Sequence, residues 1–185
     1  MRVLPQILTE QEEKALLQQF NKRYRTSYRN RLMIEMALAT GMRFGEVATL
    51  HWEDMEAEAA GVKVNIRKAK GKKDRVVYLK HGVYDSIVYY ACKFNLPCEG
   101  LVFTTHKDTA VSRFYMAPRI KKAVQKAGIK KDIHFHSLRH TALTRFYNQS
   151  LDLRKVQMVA GHENIETTTI YTHISGADIK GLMLQ

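Results

Sequence analysis

The hydrophobic period of this chain changes twice, and no other feature constrains its fold so strongly. Apolar residues recur at helical spacing through Ala15, Leu16, Leu17 and Phe20, and again through Leu32, Met33, Met36 and Ala37. They then alternate with polar residues through Val62, Val64 and Ile66 and through Val77 and Leu79, after which helical spacing returns. A period near 3.6 buries one face of a helix, and a period of two buries one face of a strand. The basic run Lys70-Gly71-Lys72-Lys73 separates the two alternating stretches and reads as a turn. The pattern predicts a β-hairpin, with a short third strand near it, set into a mainly helical domain. The expected class is therefore α+β: mainly α with a small antiparallel sheet.

Capping signals set the helix ends. Thr9-Glu10-Gln11-Glu12 is a capping box that opens a helix expected to end near Asn21. A second helix is expected from about Ser27, closed by Gly41 in the left-handed conformation, and a shorter one from about Gly45 to Trp52. After the hairpin, helices are expected over about 82–94, 112–127, 137–148 and 153–160, followed by a short turn at 167–171. A final amphipathic segment begins at Ser175, which repeats the capping pattern with Asp178 and carries Ile179, Leu182 and Met183 on one side. No internal repeat or low-complexity tract interrupts residues 1–185, which read as a single domain.

Charge narrows the possible partners. The chain holds 30 Lys and Arg against 18 Asp and Glu, a net charge of +12, and the sequence pI is near 9.7. The excess is segregated. Lys63, Arg67, Lys68, Lys70, Lys72, Lys73 and Arg75 form one cluster, and Arg113, Arg119, Lys121, Lys122, Lys126, Lys130 and Lys131 form another. An acidic knot of Glu53, Asp54, Glu56 and Glu58 lies nearby. Segregated cations can track a phosphate backbone, although each cluster alone also suits a solvated face. With no long apolar run and no signal-peptide layout, the expected setting is the cytoplasm, associated with the nucleoid. Cys92 and Cys98 are too few for a disulfide framework and wrongly spaced for a CxxC half-site.

Four separated segments carry groups suited to a phosphoryl transition state. Arg43 follows a glycine turn in Thr40-Gly41-Met42-Arg43-Phe44-Gly45-Glu46, where a guanidinium can fork onto phosphate oxygens. Lys70 sits beside Gly71 in the hairpin turn. His136 and Arg139 are three apart, on one face of a helix. Gly161-His162 is followed by Tyr171. Each also has a plain structural reading: Arg43 as a helix-end charge, Lys70 as a solvated lysine, Tyr171 as a packing residue. His136 and His140 have the i,i+4 spacing of a metal pair, but no third ligand of sensible spacing accompanies them.

Taken in order, TGMRFGEVATL (40–50), AKGKKDRVVYL (69–79), HFHSLRHTALT (134–144) and AGHENIETTTIYTH (160–173) resemble the tyrosine recombinases, or phage-type integrases, across nearly the whole chain. The resemblance implies the catalytic-domain fold of that family, without its amino-terminal core-binding domain. It implies a site-specific recombinase that cleaves and rejoins double-stranded DNA through a transient 3′-phosphotyrosine, with no metal, ATP or other cofactor. Tyr171 would be the nucleophile, Arg43 and Arg139 the pair gripping the non-bridging oxygens, and Lys70 the general acid. His136 would assist proton transfer and His162 would donate a second hydrogen bond to the phosphate. Glu46, His140 and His173 fall at supporting positions. Arg67, Lys68, Lys72, Lys73 and Arg75 would meet the DNA backbone. Residues 175–185 would couple subunits in a tetrameric synapse or fold back on their own domain. Two alternatives remain at this level: a nicking-closing enzyme like the type IB topoisomerases, and a non-catalytic DNA-binding regulator. Ala69, Tyr78 and Ala160 stand where the family commonly has glycine, proline and leucine; none removes a reactive group.

Overall fold

A computed structural model describes residues 5–67, 74–161 and 168–169. In chain order the elements are α1 (Glu10–Gln18), α2 (Arg25–Thr40), α3 (Phe44–Ala48), a 3-10 turn (Trp52–Asp54), β1 (Met55–Glu58), β2 (Gly61–Ile66) and β3 (Arg75–Leu79). Four helices follow: α4 (His81–Lys93), α5 (Arg113–Lys126), α6 (Phe135–Ser150) and α7 (Leu153–Ala160). The expected α+β class is borne out, as is the third strand, which carries part of the acidic knot. The expected final segment from Ser175 lies outside the described residues.

Helix α2 organises the core. Leu32, Met33, Ile34, Met36 and Ala37 are all fully buried. Consecutive helical positions lie about 100° apart, so burial at 32, 33 and 34 means that this helix is covered around most of its circumference, leaving a half-buried stripe at Arg31, Glu35 and Ala39. It packs against α1, α3, α4, α6 and β3. Each large apolar side chain so enclosed contributes about 1.5–3 kcal/mol relative to exposure. Arg29 shares this interior because its charge is fully engaged: Nη1 donates to the Thr104 carbonyl at 2.9 Å and Nη2 to Asn30 Oδ1 at 2.8 Å. The Tyr115 ring lies 5.2 Å from its guanidinium carbon.

The helix ends follow their sequence signals. Thr9 and Glu12 form the reciprocal capping box, with Thr9 N–H donating to Glu12 at 2.8 Å and Glu12 N–H to Thr9 Oγ1 at 3.2 Å. Gly41 closes α2 with φ +70°, and a Cβ there would lie 3.0 Å from Leu143 Cδ2 on α6. One boundary differs from expectation. The helix expected from Gly45 to Trp52 stops at Ala48, because the chain turns to pair with the strand-like segment at 100–102. Trp52 N–H donates to the Gly100 carbonyl and Val102 N–H to the Leu50 carbonyl, each at 2.9 Å. Long-range backbone bonding outweighs local helical preference here.

The sheet is an antiparallel meander, β1-β2-β3. Val62 pairs with Leu79, Val64 with Val77, and Ile66 with Arg75. The five apolar residues in that register are buried, while Val76 and Tyr78 face outward. Arg75 has the same alternation parity as Val77 and Leu79, so its side chain starts from the inward face. Among the described residues no helix is long and apolar enough to cross a membrane.

Candidate active site

Three of the expected site residues meet at one groove although they come from segments about a hundred residues apart. Arg43 enters from the α2–α3 junction, and His136 and Arg139 from the first turns of α6. Together with Met42, Phe44, Phe114 and Phe135 they line an open cavity of about 690 Å³. Phe44 and Phe135 pack edge to face at 5.1 Å between ring centroids and form an apolar wall. Phe114, beside Arg113 at the start of α5, is 83% exposed at the rim.

Arg139 is held by carbonyls that helix geometry leaves open. Its side chain is buried, with the residue only 1% exposed. Nη1 donates to the Gly41 carbonyl at the end of α2, and Nη2 to the Ala160 carbonyl at the end of α7, both at 2.7 Å. The last carbonyls of a helix lack intrahelical donors and carry its partial negative charge. One guanidinium therefore ties the ends of two helices to α6 and still lines the groove. The sequence expectation placed Arg139 against the phosphate; the structure shows it in this scaffold role.

Arg43 is arranged differently. It precedes α3, its side chain is 40% exposed, and Nη1 donates to Glu46 Oε1 at 3.1 Å. Its backbone N–H donates to Glu46 Oε2 at 2.7 Å. Glu46 thus holds both the backbone and the guanidinium of Arg43. Burial alone would raise the Glu46 carboxyl. The hydrogen bonds from Arg75 and from the Arg43 N–H, with both guanidinium charges, outweigh burial and bring it down to about 2.

His136 is exposed at the groove, and desolvation by the surrounding protein first, then the charges of Arg139, His134 and Arg43, hold its imidazole below the ordinary value. The lowered value favours the neutral imidazole, the form that can accept a proton. The His140 ring packs against it edge to face at 4.5 Å. Among the described residues no group of three or more His, Cys, Asp or Glu side chains is arranged to hold a metal ion.

The expected backbone-binding cluster is corrected at Arg75. Its side chain is only 7% exposed and forks onto Glu46, Nη1 to Oε1 and Nη2 to Oε2, both at 2.7 Å. The physical reason is strand parity, which aims position 75 inward at a carboxylate. Arg67 remains at the surface but pairs with the buried Asp54 at 2.6 Å, so part of the acidic knot neutralises the neighbouring basic cluster. Lys68, Lys70, Lys72, Lys73, His162, Tyr171 and His173 lie outside the described residues. Phe114 and the aromatic wall were not foreseen. The signal for Phe114 was an aromatic directly after the Ser112-Arg113 helix start; nothing local marked Phe44 and Phe135 as neighbours.

The groove brings two arginines and a histidine to one lining, residue types whose chemistry suits an anionic ligand. Residues 6–177 match the phage integrase family. The chain is 31% identical to the tyrosine recombinase XerC of Staphylococcus epidermidis over 99% of its own length and 62% of that protein. It is 34% identical to the tyrosine recombinase XerD of Staphylococcus saprophyticus over 97% and 61% respectively. The structure superimposes with a TM-score of 0.84 on the XerH site-specific recombinase bound to its palindromic difH substrate in a post-cleavage complex. That match is at 28% identity and covers 98% of this chain and 53% of that one. The chain thus spans about three fifths of the length of the two staphylococcal relatives.

Proposed function

From the premise that the chain belongs to the phage integrase family, as a tyrosine recombinase catalytic domain, we propose that it cleaves and rejoins double-stranded DNA at a specific site through a transient 3′-phosphotyrosine. The observation that carries this reading is the convergence of Arg43, His136 and Arg139 on one groove. In the proposed reaction the Tyr171 phenolic oxygen attacks the scissile phosphorus while its proton passes to a base, the role read for His136. The P–O bond to the 5′ oxygen breaks and that oxygen takes a proton from Lys70. Arg43, Arg139 and His162 stabilise the non-bridging oxygens as charge develops. The reverse attack by a 5′-hydroxyl restores the phosphodiester, so bond energy is conserved in the covalent link and no ATP is consumed.

An unperturbed phenol with pKa near ~10 is a weak nucleophile at neutral pH, so a neutral imidazole and a cationic groove are what this chemistry needs. Partners follow the same reading: a duplex recombination site, and further copies of the chain in a synapse. The reading is tested with a pool of nicked suicide duplexes carrying randomised arms, incubated with wild type and Tyr171→Phe in EDTA. The expected result is an SDS-resistant protein–DNA adduct with wild type only, enriched for one sequence. An adduct that survives Tyr171→Phe reassigns the nucleophile, and no adduct from any duplex with wild type rejects the reading.

A further inference from the structure

Glu46 is shared by two arginines that do different work. Arg43 lines the groove and reaches the carboxylate through Nη1 at 3.1 Å. Arg75 takes the carboxylate in a two-pronged fork at 2.7 Å on each oxygen. The closer, bidentate and more buried partner holds the stronger claim on the charge. Arg75 also has a third bond: its Nε donates to the Val159 carbonyl near the end of α7 at 2.9 Å. Its stem packs so tightly on the next turn that a Cβ at Gly161 would come within 2.9 Å of Arg75 Cδ.

We infer that Arg75 is a positioning residue for the groove: it occupies Glu46 so that Arg43 stays available to an anionic ligand. The same side chain locks β3 to the end of α7, immediately before His162 in the sequence. Without Arg75, the carboxylate keeps its charge and has Arg43 as its remaining guanidinium partner among these three. Arg43 then closes onto both oxygens, and the groove loses a cation that it presents in the native arrangement. Glu46 left to itself is a competitor for Arg43; Arg75 turns it into a support. The catalytic consequence rests on the recombinase reading, whereas the anion-binding consequence does not.

The experiment therefore has two arms. Protein carrying labelled arginine is titrated with inorganic phosphate, and the Arg43 Nε–H signal is followed by NMR in wild type, Arg75→Met, Arg75→Lys and Arg75→Met/Glu46→Gln. Near-UV circular dichroism confirms that each is folded. Phosphate should bind at Arg43 roughly tenfold more weakly in Arg75→Met, the scale of one uncompensated neighbouring charge in a half-exposed site. Arg75→Lys should fall between, and removing the surplus carboxylate in the double variant should restore affinity, a rescue that a purely structural role does not give. Equal affinity in wild type and Arg75→Met, no rescue in the double variant, or no response of Arg43 to phosphate in wild type overturns the inference. In the second arm, adduct formation on the duplex that wild type selects should slow in Arg75→Met with DNA binding retained. Wild type forming no adduct removes the recombinase reading alone; adduct formation at wild-type rate in Arg75→Met removes the inference alone.

Discussion

Arg139→Met is the substitution that best separates scaffold from chemistry. Methionine keeps most of the aliphatic volume and removes the guanidinium, so the two carbonyls of Gly41 and Ala160 lose donors that reach them at 2.7 Å. Hydrogen bonds from a charged donor contribute about 1.5–3 kcal/mol each, and both acceptors sit in a buried environment. Relief of the desolvation cost of a buried cation offsets part of this loss. The net expectation is a destabilisation of about 3–4 kcal/mol, a large share of the roughly 5–15 kcal/mol that holds a domain together. For a chain of this size that corresponds to a fall in Tm of about 6–16 °C. Urea and thermal unfolding followed by far-UV circular dichroism, without DNA, measure it directly. Arg139→Lys should recover about half, because one ammonium can reach one helix end but cannot fork between two. If Arg139→Met unfolds within about 0.5 kcal/mol of wild type, the margin of a neutral surface change, the bridging of α2 and α7 is not a stabilising interaction. The result also governs how cleavage defects are read: an Arg139→Ala protein that fails to cleave has lost part of its scaffold in addition to the phosphate contact proposed for it.

Two further expectations follow from the same geometry. Glu46 titrates at about 2 in the folded protein against 4.5 ordinarily, so its contribution is complete above about pH 5 and disappears as the pH falls toward about 2. Over that range wild type should lose about 3 kcal/mol more unfolding free energy than Glu46→Gln, measured by urea unfolding at a series of pH values; parallel pH profiles would refute the assignment. Gly41→Ala should destabilise by about 1–2 kcal/mol from the left-handed backbone alone, with added strain from a methyl 3.0 Å from Leu143 Cδ2. Chemical unfolding checks it, and a variant as stable as wild type would mean that the α2–α6 contact is looser than it looks.

Much of the architecture was legible without coordinates because its signals are local. The capping box at Thr9 and Glu12, the glycine closing α2 and the alternation in β2 and β3 each depend on residues within a few positions of one another, and each is found where it was expected. The end of α3 was not legible, since it is set by backbone bonds to Gly100 and Val102, about a quarter of the chain away in sequence. The case of Arg75 lies between. Its alternation parity with Val77 and Leu79 was readable and pointed inward, yet a basic cluster of seven residues suggested a surface facing DNA.

The order of reactive residue types along the chain, and the match of residues 6–177 to the integrase family, are properties of the sequence itself, since a string of side chains in order is all that such a match compares. Which cations face the groove and which are absorbed by the scaffold is a tertiary result. Arg43, Arg75 and Arg139 are chemically identical, and the partners that distinguish them, Glu46 and the carbonyls of Gly41, Val159 and Ala160, lie between 3 and 98 residues away. Coulomb and hydrogen-bond energies depend on distance through space, and only the folded chain sets that distance.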